Sequence, residues 1–262
     1  MKVIDAHAHI YPEKIATKAV EGVGSFYQVP MFGDGRATDL LAAAQSCPIT
    51  NFVVHSVALK PSQVCTINDF IAEECRAHPE FIGFATMHQD FADKEAEIDR
   101  AVALGLHGVK IHPDSQAVDM DDPRLMELYE IIEGRLPVII HTGDYRYDFS
   151  HPRRLKRILA AFPRLVVDAA HFGGWSIPDI ALDNLLDENC FMDMSSSMFM
   201  LGDRRTKELV NTYGTDRIMF GSDYPMWDPA AEFARFTSLG FSEGELEKLL
   251  LGNAERFLGF EV

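Results

Sequence analysis

Apolar residues come along this chain in two rhythms. One is a short unbroken run, such as Val138-Ile139-Ile140, which suits a strand buried on both faces of a parallel sheet. The other recurs every three or four positions, the period of an amphipathic helix. After an opening strand around Val3 and Ile4, the short runs predict strands at 51–57, 81–86, 107–112, 138–141, 165–169, 190–194 and 217–221. Between them the helical rhythm covers 38–46, 67–77, 94–104, 122–132, 152–162, 177–187 and 203–213. Three more helices follow at 230–239, 243–250 and 254–258. Local signals mark the ends: Asp121-Asp122-Pro123 opens one helix, Gly105 stops another and Pro163 closes a third.

Eight strands, most of them followed by a helix, in 262 residues predict an α/β protein of the (β/α)8 TIM-barrel class. The expectation is a single barrel over residues 1–262 with a long first βα loop and extra C-terminal helices. An open doubly wound sheet is the alternative, but no glycine-rich phosphate turn follows an early strand. The first connection, residues 12–37, is long enough to be functional. A short helix is predicted at 13–20, after which Gly22, Gly24, Gly33 and Gly35 break the pattern around Phe26, Tyr27, Met31 and Phe32. Those apolar residues form either a lid over a pocket or a packed surface loop.

Chemistry in such a barrel sits at the C-terminal ends of the strands. The first strand ends in Asp5-Ala6-His7-Ala8-His9. Residues two apart on a strand share a face, so His7 and His9 present two imidazoles side by side with Asp5 below them. Such a pair can hold a metal ion or be an ordinary strand edge. The later strands end in Lys110-Ile111-His112-Pro113, His141-Thr142-Gly143-Asp144, Ala170-His171-Phe172-Gly173-Gly174, Asp193-Met194-Ser195 and Gly221-Ser222-Asp223-Tyr224-Pro225. Metal-type side chains thus recur at the one position of each unit that faces a common centre.

Charge and composition narrow the partners. Hydrophobic residues make up 47% and charged residues 24%, enough for a core in an ordinary soluble chain. The net charge of −16 argues against nucleic acid and anionic membranes and leaves a small-molecule substrate, with a homo-oligomer compatible. Cys47, Cys65, Cys75 and Cys190 form no Cys-x-x-Cys pair, no apolar run approaches membrane-spanning length, and no secretory leader precedes Val3. The expected home is the reducing cytoplasm.

The quoted motifs, spread over residues 5 to 225, resemble the amidohydrolase superfamily of metal-dependent barrel enzymes. The closer likeness is to the amidohydrolase-related branch that includes aminocarboxymuconate-semialdehyde decarboxylase. The resemblance implies that His7, His9 and His141 are metal ligands, and that Asp223 is a further ligand or a partner of the metal's water. It implies that His171 lies beside the metal and handles protons. It implies one divalent metal, zinc by expectation, with manganese and iron as alternatives. Lys110 has three readings: a carboxylated lysine bridging two metals, a contact to substrate shared with His112, or a buried lysine paired with an acid. Arg146, or Arg36 in the first loop, is placed to clamp a substrate carboxylate or to form a surface salt bridge. Trp175 and Trp227 are placed to wall a flat substrate, or to pack loops together. Ser195-Ser196-Ser197 lines a pocket without acting as nucleophile, since no Gly-x-Ser-x-Gly elbow is present. His55, His78, His88, His107 and His151 receive no role. The activity implied is hydrolysis of a small carboxylate-bearing or cyclic substrate by metal-activated water, with decarboxylation of an unsaturated or aromatic acid as the alternative and a non-catalytic metal-binding barrel as a third.

Overall fold

The computed structural model describes residues 2–262. Its strands are β1 Ile4–His9, β2 Asn51–His55, β3 Phe81–Thr86, β4 Gly108–Ile111, β5 Val138–Ile140, β6 Val167–Ala169, β7 Met192–Asp193 and β8 Ile218–Met219. The first six form one parallel sheet in sequence order, and β7 pairs in parallel with β8. Two isolated bridges close the cylinder. Asp168 pairs with Phe191 between β6 and β7, and Ala8 pairs with Tyr224 beyond β8. The second seam is tightened by Ala6 N–H to Phe220 O at 2.9 Å and His9 N–H to Tyr224 O at 2.7 Å. The architecture is the expected (β/α)8 barrel.

The helices are α1 Ala16–Tyr27, α2 Ala37–Ala43, α3 Val64–Ala77, α4 Lys94–Ala103, α5 Pro113–Gln116, α6 Pro123–Ile132, α7 Pro152–Ala161, α8 Pro178–Leu185, α9 Met198–Tyr213, α10 Pro229–Thr237, α11 Glu243–Glu247 and α12 Asn253–Leu258. Proline stands in the first turn of α5, α6, α7, α8 and α10, where its missing N–H has no intrahelical partner to lose. Asp122, His151 and Asp228 each cap the helix that follows, their side chains accepting an N–H two residues on. None of the described helices is long and apolar enough to cross a membrane.

The structure departs from the sequence expectation at three places. The predicted helix at 13–20 is α1, which continues through Gly22 and Gly24 to Tyr27 and ends on Gln28 in the left-handed conformation, φ 57°. Packing of its apolar face over a cavity outweighs the low helix propensity of glycine. The predicted helix at 203–213 is the part of α9 beyond a kink at Gly202. And the one-turn helix α5, too short to show a period, follows β4 directly.

Two cores hold the layers together. The larger lies between sheet and helices, where Val54, Val109, Ile111, Val138 and Ile140 meet Leu40, Ile71, Leu128, Leu155 and Leu209. The smaller joins Ile4, Val53, Ile82, Phe84, Ile139 and Met219, from five strands, to Ala254, Phe257 and Leu258 of α12. Residues of so many strands can meet only inside the barrel, so α12 plugs one end of it and the other end is free for chemistry.

Candidate active site

The strand ends bring a set of imidazoles and carboxylates to one mouth of the barrel. On β1 the pairing with β2 shifts register between Asp5 and Ala8, which breaks the strict alternation assumed from sequence. Asp5 does not extend the row of histidines. Its carboxylate accepts the backbone N–H groups of His7 at 3.1 Å and Ser222 at 2.9 Å, tying the first strand to the last.

His7 is fully buried, and Asp193 at the end of β7 accepts its Nδ1–H at 2.7 Å. That bond fixes the tautomer and leaves the Nε2 lone pair free. His7 Nε2 lies 3.7 Å, and His9 Nε2 3.5 Å, from the same oxygen of Asp223, Oδ1. Donors bonded tetrahedrally to one ion at 2.0–2.2 Å are about 3.4 Å apart. The three groups therefore already stand near the spacing at which they would share a divalent cation, and the donor chemistry suits one. The site also draws a cation from the chain itself: Lys110 Nζ comes 3.1 Å from His7 Nε2. That histidine is its one hydrogen-bond partner among the described residues, so the expected pairing with an acid is not what holds it. Burial lowers Lys110 to about 8, against the pull of Asp193, Asp223 and Asp168.

His171 follows β6 in a tight turn, with φ 61° at His171, 55° at Phe172 and 68° at Gly173. Two successive non-glycine residues in the left-handed region, His171 and Phe172, are costly, and the turn persists because neighbouring strands hold it. Asp193 Oδ1 accepts His171 N–H, and Asp193 O accepts Phe172 N–H. The ring is held at Nδ1 by Ser195, whose carbonyl lies 2.9 Å away, leaving Nε2 3.0 Å from His141 Nδ1. A Cβ on Gly143, φ 82°, would strike Gly174 Cα, so glycine lets the His141 and His171 loops pack this closely. His171 joins the two halves of the site, its ring centroid 5.0 Å from that of His7 and 4.8 Å from that of His141.

His141 also faces a second cluster. Its ring stacks on His112 at 4.0 Å, and its Nε2 lies 3.5 Å from Asp114 Oδ2. The phenol of Tyr27, from α1, sits 2.7 Å from His112 Nε2. Burial holds His7, His9, His55, His112 and His141 well below the usual imidazole range, with Lys110 adding to the effect on each, and it lowers His171 to about 4. The cluster is therefore a set of neutral imidazoles, the form in which histidine donates a lone pair. Burial also pushes Asp223 and Asp114 up to about 7, partly offset by hydrogen bonds from Ser196 and Ser150.

These groups open on a cavity of about 490 Å³, lined at its polar end by His9, His112, His141, His171 and Asp223. Its other walls are mainly apolar, with Ile15, Val23, Phe26, Tyr27 and Met31 from the first connection and Leu59, Ile67, Trp175 and Met226, and with Lys18, Ser56, Gln63 and Ser115 among them. The first connection is the lid of the two readings above. Another depression, of about 560 Å³ between α9 and the end of α10, is open and has no histidine in its lining.

Several expected roles shift. Arg146 is not free for a substrate: its guanidinium pairs with buried Asp144, donates to Phe26 O and lies 4.7 Å from the Phe26 ring. Arg36 pairs with Asp34 at 2.6 Å. Trp175 does wall the cavity, whereas Trp227 donates its indole N–H to Ser196 Oγ at 2.8 Å, and that hydroxyl donates to Asp223. The serine run thus orients His171 and Asp223. Sequence reasoning gave no role to Asp193, Asp114 or His55, and read Tyr27 only as an apolar residue of the lid, not as a phenol bonded to His112. Asp193 and His55 at least carried the signal of lying at strand ends.

Comparison with known proteins agrees with this picture. Residues 4–260 match the family model described as Amidohydrolase. An uncharacterised TIM-barrel protein from Bordetella bronchiseptica is 21% identical, with a TM-score of 0.78 and 99% of each chain covered. A dihydroxybenzoic acid decarboxylase from Polaromonas, solved with bound manganese and the inhibitor 2-nitroresorcinol, is 17% identical (TM-score 0.77, covering 98% of this chain and 97% of that one). A candidate 2-pyrone-4,6-dicarboxylic acid hydrolase from Pseudomonas putida is 22% identical (TM-score 0.70, covering 99% and 98%).

Proposed function

The chain belongs to the amidohydrolase family, and from that premise we propose that it is a divalent-metal-dependent enzyme that removes carbon dioxide from a small, flat carboxylic acid. One observation carries this reading: a cavity with imidazoles and Asp223 at one end and mostly aromatic and aliphatic walls elsewhere, interrupted by Lys18, Ser56, Gln63 and Ser115. A flat acid fits it with the carboxylate at the polar end and the ring between Tyr27, Phe26 and Trp175. No arginine is free to hold a second carboxylate there, since Arg146 and Arg36 are paired, and Lys18 is the basic side chain in the lining. The decarboxylase among the similar structures supports the same choice.

His7, His9, His141 and Asp223 are the proposed ligands. When bound, the cation supplies Lewis acidity toward a carboxylate oxygen. Imidazole and carboxylate donors suit zinc, manganese and iron alike, and the manganese of the Polaromonas enzyme sets that metal beside zinc. His171 is the proposed proton-handling group: with Nδ1 held by Ser195, only Nε2 can take or return a proton. Loss of carbon dioxide leaves an electron pair on the vacated carbon that one proton must meet; with Asp223 Oδ1 assigned to the cation, a proton taken up from solvent at His171 Nε2 is the one placed to be delivered there. His112, which lines the cavity, is the proposed substrate contact, whereas Lys110 is fully buried against His7 and does not line it.

Hydrolysis is the second reading, favoured by the same Asp223 oxygen, which can accept a proton from a water attacking a cyclic ester or amide. Product analysis separates the two. With protein reconstituted in zinc and in manganese, carbon dioxide release without ring opening supports the first, and bond hydrolysis without carbon dioxide supports the second. His7→Ala and His9→Ala are expected to lose metal and turnover together; full metal occupancy in either variant overturns the ligand assignment. His171→Ala is expected to keep its metal and lose turnover by about 10²- to 10⁴-fold.

A further inference from the structure

His55 has no role in the site described so far, yet nothing in the fold explains its side chain. It is the last residue of β2, fully buried, and neither ring nitrogen has a hydrogen-bond partner. A buried polar atom without a partner costs about 1–3 kcal/mol, and this one ring carries two.

Its position supplies the missing partner. In the β1–β2 register His55 stands directly beside His9. Its ring centroid lies 4.3 Å from that of His9 and 4.8 Å from that of His7, edge-on to both. One nitrogen from each of His7, His9 and His55 falls within 4.8 Å of the others. His9 Nδ1 is also buried and unpartnered. Three neutral imidazoles from two adjacent strands, none paired by a proton to the next, form a donor set for a borderline-soft divalent cation.

We propose that His55 is a further metal-holding imidazole, contributed by β2 to the cation that His7 and His9 bind. The assignment rests on the metal-dependent reading above. It adds a strand to the site: β1 and β2 form one half of the cation's surroundings, and Asp223 closes it from beyond β8. The competing occupant of the same geometry is a packed ring that donates its N–H to the face of His9.

The test uses the full chain with zinc alone and manganese alone as probes. Affinity is measured by chelator competition for the wild type, His55→Gln, His55→Phe and, as a control at the opposite end of the barrel, His107→Gln. Because the ring makes no hydrogen bond and leaves two buried nitrogens unpartnered, His55→Phe is expected to melt no lower than the wild type in the absence of metal. Both His55 variants are expected to bind metal at least about tenfold more weakly, with His107→Gln unchanged. Wild-type affinity in folded His55→Gln and His55→Phe overturns the proposal while leaving the metal-dependent reading intact. A wild type that binds neither metal overturns both. If the variants fail to fold, anomalous scattering from zinc-loaded wild-type crystals decides. A His55 nitrogen at about 2.0–2.1 Å from the zinc supports the assignment, and a ring that does not reach the ion ends it.

Discussion

Buried charge and buried lone pairs set the behaviour of single residues here. Asp193 takes the Nδ1–H of His7 and the N–H groups of His171 and Ser195, so one carboxylate orients both halves of the site. Asp193→Asn keeps the shape but puts an amide where an acceptor is needed. Metal affinity is expected to fall by about 10- to 100-fold, read by chelator competition. Glu232 on α10 shows the same physics away from the site. Burial raises its carboxyl to about 7, against the pull of Arg235. An acid raised in the folded state binds its proton more tightly there than in the unfolded chain. Stability is therefore unaffected below pH 4.5, falls as pH rises from there to about 7, and is lowest above it. Glu232→Gln removes that dependence. It is expected to gain up to about 3 kcal/mol at pH 8 and nothing at pH 4, read by urea unfolding at both. Some of this was legible in sequence and some was not. His7 and His9 announce themselves because strand spacing alone puts them together. Of the partners of Asp193 only Ser195 is local; His171 and His7 lie 22 and 186 residues away, so no local pattern reveals its bonds to the histidines.

At the scale of elements, the eight strands and most helices follow from periodicity because the strands are short, buried and mostly apolar runs and each helix shows one apolar stripe. The first connection does not, since its glycines break the pattern locally while its packing is tertiary. Tyr27 reaches His112 only because α1 runs unbroken past two glycines. Gly22 is exposed in mid-helix, has an ordinary helical φ, and has nothing within 4 Å of an added Cβ. Gly22→Ala is therefore expected to stabilise the protein by about 0.5–1 kcal/mol, seen as a higher melting temperature. Because Gly22 also lines the cavity, the added methyl is expected to raise KM more than it changes kcat. An unchanged melting temperature would show that α1 does not unfold with the rest of the barrel.

The molecule as a whole divides labour between its two ends. The seam bonds from β1 to the segment after β8 lie among the catalytic candidates, so closing the barrel and assembling the site are one event: Asp223 N–H donates to His7 O at 2.8 Å, and Ser222 N–H to Asp5. The far end contains no such chemistry. There Phe257 of α12, 2% exposed, stacks against Phe84 and meets Phe191 edge-on inside the barrel. Deleting a buried aromatic ring costs its transfer energy plus the cavity it leaves, about 3–5 kcal/mol. Phe257→Ala is expected to lose that much in urea unfolding with an unchanged m-value, while zinc or manganese affinity, measured well below the transition, stays within twofold. Weakened metal binding in the folded variant would mean that the plug and the mouth are coupled through the strands, and that the His7 end is not set by its own hydrogen bonds alone.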